Sequence, residues 1–73
     1  KIAQFPSGRF VVTGSNAITT LNVYNLNGTL IKQIADRRSP QITVNINEQP
    51  QGVYILQIKD IQGNFAVKKV VKH

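Results

Sequence analysis

Residues 41–46, Gln-Ile-Thr-Val-Asn-Ile, alternate polar and apolar side chains, and this period of two recurs along the chain between turn signals. Successive side chains of a strand point to opposite faces, so Ile42, Val44 and Ile46 share a buried face while Thr43 and Asn45 face water. The same reading predicts strands near 8–13, 18–25, 29–34, 41–46, 52–59 and 64–72, with 1–5 as a short seventh. No stretch carries the three-and-four apolar spacing of a helix. An all-β fold follows, an antiparallel sandwich or barrel of six to seven strands.

At 73 residues the chain holds one domain, 1–73, and it has no Cys to staple the fold. Stability must come from a core that is mostly Val, Ile and Leu, since only two Tyr and three Phe are present. In 52–59 the inward set is Tyr54, Leu56 and Ile58, because the opposite parity would bury Gln57. Phe65 and Val67 are expected to join that core from the last strand. Lys68, Lys69 and Lys72 then serve as solubilising charge on an edge strand.

Two segments echo one another, Asn25-Leu-Asn-Gly28 and Asp60-Ile-Gln-Gly63. In each, an Asx side chain can accept from a backbone N–H further round the turn, and the Gly supplies the positive φ of a type I turn with a bulge. Both are expected to be hairpin turns. Asn27-Gly28-Thr29 also matches a glycosylation pattern, but Asn before Gly is what a tight turn prefers. The segments 36–40 and 48–52, containing Pro40, Pro50 and Gly52, read as crossings between sheets. Gly8 and Gly14 read as ends of the first strand.

An enzyme needs convergent reactive groups, and the inventory excludes that reading. The three acids, Asp36, Glu48 and Asp60, fall in turns, and the single His is His73. Nothing suggests a cofactor or a metal site. The longest strictly apolar run, 53–56, is far below the roughly 20 residues of a membrane helix. A net charge of +6 raises nucleic acid as a partner, but the basic residues are scattered and the terminal Lys cluster lacks exposed aromatics for base stacking, so a solvated basic face is the reading adopted. With no Met and no leader at Lys1, the chain is expected to be a piece of a longer protein.

The segment 21–32, with Val23-Tyr-Asn-Leu-Asn-Gly28 running into a second apolar strand, is followed by Pro50-Gln-Gly-Val-Tyr54 and then by Gly63 and a terminal Lys68-Lys-Val-Val-Lys72. In order and spacing these resemble the type A C-terminal sorting domains of Bacteroidota proteins exported by type IX secretion. The Tyr-Pro-Asn-Pro segment common near the start of such domains is replaced here by Gln4-Phe-Pro-Ser-Gly8. The resemblance implies an immunoglobulin-like sandwich that acts as a secretion signal. It implies recognition by the outer-membrane translocon after passage through the periplasm, removal by a sortase-like cysteine peptidase, and delivery of the cargo to the cell surface or medium. On that reading Gly52, Tyr54 and Gly63 shape the folded signal, and Lys68, Lys69, Val70, Val71 and Lys72 are the recognised tail. The alternative is a non-signalling immunoglobulin-like or fibronectin-like accessory or adhesin module. The exposed edge also suggests weak or domain-swapped dimers.

Overall fold

A computed structural model describes residues 2–5, 8–35 and 38–72. It contains six strands: β1 (Ile2–Phe5), β2 (Arg9–Asn25), β3 (Leu30–Ile34), β4 (Ser39–Asn45), β5 (Gly52–Asp60) and β6 (Phe65–Lys72). Every pairing is antiparallel. The fold is all-β, as expected. Asp36, Arg37 and His73 lie outside the described residues, as do Lys1, Pro6 and Ser7.

The organising element is β2, which is 17 residues long where two separate strands, 8–13 and 18–25, were expected. Gly14 therefore lies inside a strand and does not end one. The strand bends there instead of stopping. Between the pairs Thr13↔Gln41 and Ile18↔Ser39, residues 14–17 of β2 face only Pro40 on β4. Pro40 has no N–H to donate to the ladder, so the partner strand bulges away from it.

The bend divides the neighbours of β2. Its first half pairs with β1 and β4, and its second half with β3 and β5, beyond which lies β6. The sheet curls, and both halves close on one core. Phe10, Val12, Ile18, Leu21 and Val23 of β2 pack there with Ile42, Val44 and Ile46, and with Tyr54, Leu56 and Val70. Ile58 packs against the margin of this cluster, so the inward parity expected for 42–46 and 54–58 holds.

The parity expected for the last strand does not. Phe65 and Val67 are 63% and 64% exposed, whereas Val70 and Lys72 are buried. The hairpin register is the reason. It sets Phe65 opposite Lys59, Val67 opposite Gln57 and Val70 opposite Tyr54. Directly opposed residues share a face, so Tyr54 draws Val70 inward while Lys59 keeps Phe65 outward.

Candidate functional site

The β5–β6 hairpin begins at its turn. Asp60 Oδ1 accepts from the N–H groups of Gln62 and Asn64, both at 2.9 Å, and the Gly63 N–H donates to the Asp60 carbonyl at 3.1 Å. Asn25 does the same in the other turn, accepting from Asn27 and Thr29 at 2.9 and 3.0 Å, while the Gly28 N–H donates to the Asn25 carbonyl at 3.0 Å. Gly28 and Gly63 have φ of 82° and 83°, a region that L side chains rarely adopt. The two turns are thus the same device.

Asp60 differs from Asn25 in carrying a charge. Desolvation pushes its carboxyl upward, but hydrogen bonds from the backbone and side chain of Asn64, the backbone of Gln62 and the side chain of Asn16 outweigh it. The carboxyl is held below its ordinary value.

From this turn β6 runs back beside β5, and among the described residues no strand pairs with its other side. Lys68 and Lys69 stand exposed near its middle, on opposite faces. Lys68 shares its face with Ala66 and the buried Val70, yet stays accessible. The sheet does not close there, and an open cleft of about 380 Å³ separates the bend of β2 from the hairpin, lined in part by Ile2, Ile18, Ile58 and Lys68.

At the end of β6 the chain is tied down. The Gln4 side chain donates to the Val71 carbonyl, joining the edges of β1 and β6. Lys72 is opposite Gly52 and only 9% exposed. Its Nζ donates to the Gln49 carbonyl at 2.7 Å. Its stem crosses Gly8, where a Cβ would lie 2.6 Å from Lys72 Cε and 3.2 Å from the Ile46 carbonyl carbon. Beside it the Tyr54 hydroxyl donates to the Pro50 carbonyl at 2.6 Å, so the 47–51 connection has one carbonyl held by each side chain.

The structure therefore gathers Gly52, Tyr54, Val70 and Lys72 at one end of the hairpin and leaves Gly63 at the other. Val71 is 40% exposed on the outer face. The expectation that Lys72 is solubilising charge is corrected, because a long stem packed on apolar surface with its ammonium on a carbonyl is a structural contact. Sequence reasoning missed Gly8 and Gln49 as its partners. Gln49 is 23 residues away and Gly8 lies near the opposite end of the chain, and no spacing pattern announces either contact.

Among the described residues no three His, Cys, Asp or Glu side chains gather to hold a metal. Nor does any helix among those residues have the length and apolarity to cross a membrane. What the hairpin offers is a surface: a free edge, two exposed lysines and a clamped end.

No curated protein matches the chain closely. The family model for the secretion system C-terminal sorting domain matches residues 6–73, which takes in β2 to β6 and both Asx-x-x-Gly turns. With nearly its whole length matched, the chain belongs to the family of type IX secretion C-terminal sorting domains.

Proposed function

We propose that the chain is the delivery tag of a secreted cargo, read as a folded domain and not as a linear peptide. The observation that carries this is the end of β6. Lys72, the last residue of the basic tail, is packed over Gly8 and bonded to Gln49, so the tail and the fold are one object. A partner that reads β6 reads it as an ordered edge strand with Lys68 and Lys69 displayed.

On this reading Gly52, Tyr54, Gly63 and Val70 hold the strand in register. Lys68, Lys69 and Val71 meet the outer-membrane translocon, and Lys72 pins the strand end. Residues 1–73 act as one sorting unit with no catalytic role. The cargo passes through the periplasm, a sortase-like cysteine peptidase removes the domain, and the cargo remains at the cell surface or in the medium. The edges of β1 and β6, bridged at Gln4 and Val71 but with no further strand among the described residues, also favour weak or strand-exchanged dimers at high concentration, which light scattering over a concentration series checks.

The test is a passenger with an export leader fused ahead of the domain, expressed in a bacterium with type IX secretion. The passenger should appear at the surface, and moving the domain to an internal position should leave it in the periplasm. Equal delivery from the internal position would make the domain a spacer.

A further inference from the structure

The outer face of the β5–β6 hairpin has the wrong chemistry for a surface that meets only water. Phe65, Val67 and Val71 of β6 are 63%, 64% and 40% exposed, and the register sets Val71 against Val53 and Lys69 against Ile55 on that same face. Elsewhere the outer face is polar at Thr43 and Asn45 of β4, and its exposed apolar strand residues, Phe5 and Leu30, stand singly on different strands. On this one hairpin Phe65, Val67, Ile55, Val53 and Val71 share a face, interrupted by Gln57, Lys59 and Lys69, and exposed apolar side chains gathered on one edge mark an interaction surface.

The charges around the stripe indicate what covers it. Lys69 lies within it, and Lys59 places its Nζ 5.5 Å from the centre of the Phe65 ring. Asp60, the nearest acid in sequence, points its carboxylate into the turn and is bonded to Gln62, Asn64 and Asn16. A second copy laid face to face would set these lysines against each other, in a chain whose net charge is already +6. An apolar surface rimmed by carboxylates fits both the stripe and its cations.

We infer that this outward stripe, centred on Phe65, Val67 and Lys69, is the face that docks the domain onto an acidic-rimmed apolar surface of the secretion machinery. The inference rests on the sorting role proposed above and assigns the contact to one side of the strand. Alternation divides the tail by role. Val70 and Lys72 turn inward and hold β6, Phe65, Val67, Lys69 and Val71 turn outward and form the docking face, and Lys68, exposed on the inward side at the cleft, reaches the partner from beside that face.

The test uses the passenger fusion with two sets of outward substitutions. Phe65→Thr with Val67→Thr keeps β-propensity and removes the apolar stripe; Lys59→Glu with Lys69→Glu reverses the charge. Both should lower surface passenger at least about tenfold, as loss of a central contact does, with the passenger retained in the periplasm. The thermal midpoint of the 73-residue chain should stay within about 3 °C, because the altered side chains are exposed. Lys59→Arg with Lys69→Arg should deliver normally.

If the parent fusion is delivered and both variant sets are delivered equally well, the stripe is not the docking face, and the sorting role stands without it. If the parent itself stays in the periplasm, the sorting role fails and takes this inference with it. If the isolated chain dimerises and Phe65→Thr with Val67→Thr abolishes the dimer, a second copy covers the stripe and the assignment to the machinery is overturned.

Discussion

The side chain of Lys72 crosses Gly8 so closely that a methyl group at Gly8 would lie 2.6 Å from its Cε. Gly8 also has φ of 77°, and its carbonyl accepts the Ile46 N–H at 2.9 Å, so both its conformation and its missing side chain are in use. Gly8→Ala should destabilise the domain by about 1–3 kcal/mol through backbone strain and displacement of the lysine stem. Combining it with Lys72→Ala should cost less than the sum of the two, because the first change has already disturbed what the second removes. Denaturant titration of the four proteins measures this, and strict additivity would show that the two residues do not share a contact.

The three lysines of β6 should separate in stability. Lys68→Gln and Lys69→Gln alter exposed side chains and should stay within about half a kcal/mol. Lys72→Gln removes a charged donor from the Gln49 carbonyl and shortens a buried stem, with an expected loss of about 2 kcal/mol. Equal denaturation midpoints for all three would place the Lys72 side chain in solvent.

Tyr54 contributes both apolar burial and a bond from its hydroxyl to the Pro50 carbonyl. Tyr54→Phe should cost about 1 kcal/mol, the usual net value of one hydrogen bond. Tyr54→Ala should cost about 3 kcal/mol or more, because it opens a cavity opposite Val70 in a core with few aromatics. Chemical denaturation of the pair would resolve the difference, and a similar loss in both would assign most of the effect to the hydroxyl.

Asp60 should make the hairpin acid-sensitive. Its carboxyl is held below the ordinary value in the folded chain, so the charged form is favoured by folding. That stabilisation is present above the unfolded value, about 3.9, and is lost as pH falls through the folded one. Asp60→Asn, which copies the uncharged Asn25 of the twin turn, should lower the midpoint near neutral pH and lose less on acidification. Thermal melts between about pH 7 and pH 2 check this. An identical acid dependence in parent and variant would remove Asp60 as the cause.

The strands, the inward parity of β4 and β5, and the geometry of both Asx-x-x-Gly turns were legible from local sequence alone. They depend on interactions within a few residues: side-chain alternation, an Asx acceptor and a Gly with positive φ. The sorting-domain resemblance was legible for the same reason, since its motifs are these strands and turns. The facing of β6 was not, because Phe65-Ala-Val-Lys-Lys-Val-Val-Lys72 carries apolar residues at both parities, and only the register against β5 decides which face the core. Nor was the continuity of β2, whose bend depends on a proline in another strand. The seat of Lys72 depended on residues distant in sequence, Gln49 in the preceding connection and Gly8 near the other end of the chain. Whether a lysine is a surface charge or a packed clamp is settled by what lies across from it, and tertiary structure alone brought Gly8 and Gln49 there.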